Sequence, residues 1–108
     1  MRQGDIYWYT FPIPDKRRPV LILTRNSAIS YLTSVTVAQI TTTVRRVPSE
    51  VLLTPRDDGV PQECVVNAHN LQTIQKARLG ELITQLSAER MREVREAVEF
   101  ALGFHVLV

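Results

Sequence analysis

The hydrophobic period of this chain changes once, at Ser87, and that change limits the folds open to it. Before Ser87 the apolar residues come in short runs or in alternation, as strands require. After it, Met91, Val94, Ala97, Val98, Ala101 and Leu102 recur at helical spacing and make one apolar stripe. Ser87 is the expected N-cap, Glu89 falls in the electropositive first turn, and Gly103 is the expected C′ stop. Glu89, Glu93, Glu96 and Glu99 alternate with Arg92 and Arg95 on the outer face. Short strands followed by a single amphipathic helix must bury the sheet against that helix. The expected architecture is mainly β with a C-terminal helix, an α+β domain built on a small, strongly bent sheet or barrel.

The strands follow from local composition. Ile6–Tyr9 is rich in β-branched and aromatic residues. Phe11–Asp15 carries two prolines that lack amide donors and is expected as a loop. Pro19–Thr24 is a continuous apolar run, consistent with burial on both faces. Asn26–Ser34 is polar and reads as a loop with room for a helical turn. In Val35–Ile40, Val35, Val37 and Gln39 alternate with Thr36, Ala38 and Ile40. Val51–Leu53, Cys64–Asn67, Leu71–Ile74 and Leu82–Leu86 are shorter candidates, with Asp57-Asp58-Gly59 and Gly80 expected in turns.

Two segments in the first half carry chemistry. Lys16-Arg17-Arg18 leads into the Pro19–Leu23 run, and Thr41-Thr42-Thr43 follows the Val35–Ile40 strand, with Arg45-Arg46 close behind. Guanidinium groups bind phosphate bidentately, and neighbouring hydroxyls can bond a sugar or a phosphate oxygen. Each segment also has an ordinary reading. Three adjacent cations can simply keep a strand end soluble, and threonines favour strands. Arg18 abuts Pro19, which biases it towards an extended backbone at a rigid element. The functional reading therefore requires the strand end at Thr41 to fall beside Arg18.

Charge distribution agrees with a polyanion partner. Residues 1–46 hold seven Lys/Arg against two Asp, and residues 47–108 hold six Lys/Arg against nine Asp/Glu. The 108 residues fit one domain, 1–108. A single cysteine, Cys64, fits a reducing compartment and reads as an inert core thiol. No apolar run approaches the length of a membrane span and no signal segment opens the chain, so a cytoplasmic location without membrane attachment is expected. His69 and His105 have no ligand at metal spacing, so neither a metal site nor a cofactor is expected. Trp8 and Tyr9 can stack on a base, though at least one of them should be core.

Read together, four blocks resemble the MazF/PemK family of toxin endoribonucleases from bacterial toxin–antitoxin pairs. They are Arg2-Gln3-Gly4-Asp5-Ile6, Arg18-Pro19-Val20-Leu21-Ile22-Leu23, Val37-Ala38-Gln39-Ile40-Thr41-Thr42-Thr43, and Leu71-Gln72-Thr73-Ile74 with Lys76-Ala77-Arg78-Leu79. The resemblance implies an SH3-like small barrel, a homodimer, and metal-independent cleavage of single-stranded RNA. Carried over by position, Arg18 is the catalytic arginine and Thr41 the catalytic threonine. Lys16, Arg17, Thr42, Arg45, Asn70 and Gln72 are the implied substrate-binding residues. The 2′-hydroxyl is expected to attack the adjacent phosphate, leaving a cyclic phosphate and a 5′-hydroxyl. Arginine stays protonated, so Arg18 suits transition-state charge stabilisation rather than proton abstraction. The implied partner, besides RNA, is a cognate antitoxin with a disordered acidic segment.

The chain departs from the family pattern at two points. The loop before Arg18 is short, with Asp15 its nearest carboxylate, and Asn70 stands where relatives often carry glutamine. A second reading also fits the same fold. That fold resembles the fold of the CcdB gyrase inhibitors, in which the C-terminal helix acts on a protein target without catalysis. A third reading is an RNA-binding barrel without activity.

Overall fold

The structure, a computed structural model, describes residues 1–14 and 16–104. Asp15 and His105, both considered above, lie outside the described residues. Six strands, β1 (Asp5–Phe11), β2 (Lys16–Ile22), β3 (Ser34–Thr41), β4 (Glu50–Leu53), β5 (Cys64–Gln75) and β6 (Leu79–Gln85), form one antiparallel sheet. Their order is β4-β5-β3-β2-β1-β6. Two single-turn helices, α1 (Asn26–Ile29) and α2 (Pro55–Asp58), interrupt the strands, and α3 (Ala88–Leu102) closes the described fold. The sheet curls into a half-barrel with α3 packed on one face, the bent sheet that the strand pattern called for.

Alternation sorts the strand residues onto the two faces. Ile6, Leu21, Ala38 and Ile40 pack with Val94 and Ala97 of α3 on the helix side. Tyr9, Phe11, Val20, Ile22, Val35 and Val37 form a second cluster on the other face. Val20, Leu21 and Ile22 are fully buried, so the continuous apolar run does serve both clusters. Helix α3 is capped as its sequence implies. The Ser87 hydroxyl accepts from the Arg90 amide at 3.1 Å, and Gly103 turns the chain in the left-handed region at φ 73°.

Several boundaries differ from the sequence expectation. β2 begins at Lys16, not at Pro19, because Phe11, Thr10 and Tyr9 of β1 pair with Lys16, Arg17 and Arg18. Pro19 is tolerated there because β3 pairs only with Val20–Ile22, so the missing amide breaks no ladder on that side. Phe11 is the last residue of β1 and belongs to the core, not to the loop. Cys64–Asn67 and Leu71–Ile74 are one strand, β5. Ala38 faces Leu71 while Gln39 faces Asn67, so residues 68–70 bulge out of the ladder.

Three smaller differences concern Gly80, Asp57-Asp58 and Leu102. Gly80 lies within β6, not in a turn, where an added Cβ would stand 3.1 Å from the Trp8 carbonyl oxygen. Asp57-Asp58 belongs to α2, with Thr54 as its N-cap and Gly59 as its left-handed stop. On α3, Leu102 is 49% exposed and falls off the core stripe.

Candidate active site

The β2–β3 ladder brings the two sequence motifs together. Val20 pairs with Gln39, Leu21 with Ala38 and Ile22 with Val37. Carried two residues outward, that register sets Arg18 opposite Thr41, on the face that also carries Val20 and Gln39. Both residues are half-buried. The Thr41 hydroxyl accepts the Thr43 amide at 3.2 Å, which fixes the side chain and leaves its proton free to donate. Among the described residues, no ion pair involves Lys16, Arg17 or Arg18.

Two clefts meet at this strand end, and Lys16, Arg18 and Thr41 line both of them. The cleft on the helix side has a volume of about 280 Å³ and is walled by Trp8, Arg17, Pro19, Thr42, Pro61 and Gln62. The other, of about 340 Å³, is walled by Gln39, Thr43, Arg45, Asn67, Asn70 and Gln72. The division follows the strand alternation. Residues 17, 19 and 42 have the parity of the helix side, whereas residues 39, 41 and 43 have that of the opposite face. The eight residues that the resemblance assigned to catalysis or substrate binding therefore each line one cleft or both, whereas Tyr9 is a core residue and lines neither.

Supporting contacts hold the Arg17 side chain and the Arg45 backbone. The Arg17 guanidinium carbon lies over the Trp8 ring, 4.1 Å from its centroid. Arg45 sits on the β3–β4 connection, whose backbone is held by the Glu50 carboxylate. Arg46 does not line either cleft and adopts the left-handed region at φ 57°.

Cys64 reaches the helix-side cleft but is 3% exposed. Burial, then the charges of Asp58 and Glu63, push its thiol up to about 11, so it stays protonated and unreactive at neutral pH. Tyr7 is likewise raised, by burial and then by Asp5. His69 is exposed on β5, and no group of three or more His, Cys, Asp or Glu among the described residues could hold a metal ion.

Sequence reasoning missed Gln39, Asn67, Gln62 and Glu50. Gln39 was legible, since its parity with Val37 aims it at the Thr41 face. Asn67 could be placed only with the β3–β5 register known, because the bulge breaks a simple count. Glu50 carried no signal beyond preceding an apolar run.

Fold and cleft together define a class: a small half-barrel with a packed C-terminal helix and a cationic, hydroxyl-lined groove suited to a polyanion. The chain belongs to the family of PemK-like, MazF-like toxins of type II toxin–antitoxin systems, whose model matches residues 2–102. It is 35% identical over 103 residues to the probable endoribonuclease MazF2 of Mycobacterium tuberculosis, covering 95% of this chain and 99% of that protein. With the endoribonuclease MazF3 of the same species it shares 48% identity over 86 residues, 78% of this chain and 81% of that one. Among solved structures, the Mycobacterium tuberculosis toxin MazF-mt6 superposes with a TM-score of 0.82 at 41% identity, over 92% of this chain and 96% of that chain. A mycobacterial endoribonuclease in complex with its cognate antitoxin gives 0.85 at 28% identity, over 95% of each chain.

Proposed function

We propose that this chain is the toxin of a type II toxin–antitoxin pair and cleaves single-stranded RNA without a metal ion. The observation that carries this reading is that Arg18 and Thr41 line both clefts where they meet, with no carboxylate among the described residues ion-paired to Arg18. A phosphate seated there meets a preorganised cation and a hydroxyl donor. The 2′-oxygen attacks phosphorus, the bond from phosphorus to the 5′-oxygen breaks, and one proton passes overall from the 2′- to the 5′-oxygen. The products are a 2′,3′-cyclic phosphate and a 5′-hydroxyl. Arg18 stabilises the charge that builds on the non-bridging oxygens, and Thr41 donates to a phosphate oxygen or orients the 2′-hydroxyl. No cofactor enters this sequence.

Lys16, Arg17, Thr42, Arg45, Asn70 and Gln72 hold the strand on either side of that phosphate. Residues 1–108 act as one domain, in a homodimer, in the cytoplasm. No helix among the described residues is long and apolar enough to cross a membrane. A cognate antitoxin with a disordered acidic segment neutralises the basic groove, in line with the antitoxin complex of the mycobacterial relative. The relatives named as endoribonucleases favour cleavage over inhibition of a protein target by the same fold.

Arg18→Ala and Thr41→Ala test the assignment. Each is expected to keep the wild-type circular dichroism and to lower kcat on a mapped RNA site by about a hundredfold or more. An undiminished rate in either removes that residue from the mechanism.

A further inference from the structure

The two clefts differ in chemistry, and the difference assigns them different tasks. Gln39, Asn67, Asn70 and Gln72 give one cleft four side-chain amides. Asn67 Oδ1 already accepts the His69 amide at 3.0 Å, which orients its NH2 as a donor, and the other three carry both a donor and an acceptor for a base edge. The helix-side cleft has flat apolar walls in Trp8, Pro19 and Pro61, and Arg17 is stacked on the indole. Its volume of about 280 Å³ is near the lower limit of small-molecule pockets, about 300 Å³, and so suits one planar group. A guanidinium fixed over an indole presents its outer face to a further π system.

We propose that the Trp8–Arg17 cleft is a stacking subsite for the single nucleobase on one side of the scissile phosphate, tolerant of base identity. The amide-lined cleft takes the base on the other side and reads it. The phosphate between them lies on Arg18 and Thr41, the strand end that both clefts share. Strand alternation supports this, since a chain crossing that end meets opposite faces of the sheet before and after the phosphate. The inference rests on the RNA-cleaving reading given above.

Trp8 is the one tryptophan in the sequence and serves as a native probe. A cleavable oligoribonucleotide is first mapped, and the same strand is then made uncleavable by a 2′-deoxy nucleotide at the cut. Titration with this strand should quench Trp8 emission. Removing the base on one side of the phosphate should abolish the quench and weaken binding about tenfold. Removing the base on the other side should leave the quench intact. Arg17→Gln should raise KM about tenfold with an unchanged cleavage motif, whereas Gln72→Ala should relax the motif. Trp8 emission that ignores saturating RNA, or that ignores both abasic strands, overturns the subsite, as does an Arg17→Gln enzyme with altered base preference. Failure of the wild-type protein to cut the all-ribose strand would instead remove the nuclease reading itself.

Discussion

The carboxylate of Glu50 holds the backbone of Arg45 in place: Oε1 accepts the Arg45 amide at 2.9 Å, and the Arg46 amide at 3.2 Å. The Glu50 side chain is 3% exposed, and its second oxygen lies 3.9 Å from the Arg45 guanidinium. An anion buried in this way fixes a cationic loop at the rim of the amide-lined cleft. Glu50→Ala leaves two amides without their acceptor and should destabilise the fold by about 1–3 kcal/mol in urea titration. It should also raise KM for RNA more than it lowers kcat. Glu50→Gln keeps an acceptor oxygen and should recover most of both effects.

Lys16, Arg17, Arg18 and Arg45 all line the clefts. With Arg17 committed to the stacking subsite, Lys16, Arg18 and Arg45 each neutralise one phosphate of a single strand, and log affinity should fall with log salt at a slope of about −2. Titration of an uncleavable RNA between low and moderate salt measures it. Arg45→Gln should make the slope shallower by about 0.7. A slope near zero would remove the cationic groove from RNA binding.

Asp58 ties α2 to α3. Its carboxylate accepts from Arg90 Nε at 2.9 Å and Arg90 Nη2 at 3.2 Å, and also from the Thr54 amide at 2.9 Å. The Asp58 side chain is 4% exposed and Arg90 is 23% exposed. Arg90→Met strands a buried carboxylate and should cost about 3 kcal/mol by urea denaturation. A loss near zero would show that water replaces the guanidinium.

The Cys64 thiol, held at about 11 by burial and then by Asp58 and Glu63, makes a pH prediction. The folded state keeps its proton above the ordinary thiol range, where the unfolded chain has lost it. Stability from this group is therefore complete below about pH 9 and is lost as pH climbs towards 11. Thermal melts from pH 8 to 11 should fall more steeply for wild type than for Cys64→Ala. Tyr7, also raised, contributes to both proteins and cancels in that comparison. Alkylation of the native protein at neutral pH should be slow.

Alternation and capping made much of this fold legible. Val35, Val37 and Gln39 against Ala38 and Ile40 placed β3 correctly, and Ser87 with Gly103 bounded α3. What local sequence could not give was pairing. The entry of Lys16-Arg17-Arg18 into β2 depends on β1 supplying partners, so a run of cations that looks like a turn becomes strand. The continuity of β5 depends on a bulge opposite Ala38 and Gln39, and local composition suggested two strands instead. The same limit applies to the site. Arg18 and Thr41 stood out in their motifs, but the division of their neighbours between two clefts follows from register, and Glu50 acts through backbone amides that no motif announces.

The most direct test of the mechanism is the chemistry of the cut. A long single-stranded RNA is incubated with the purified protein in excess EDTA, and the fragment ends are mapped and typed. The Arg18–Thr41 site predicts discrete cuts whose downstream fragments carry 5′-hydroxyls and accept phosphate from a polynucleotide kinase without prior phosphatase treatment. It also predicts that Arg18→Ala makes no such cuts. Intact RNA from the folded protein, or cuts that need a restored divalent cation and leave 5′-phosphates, would contradict it.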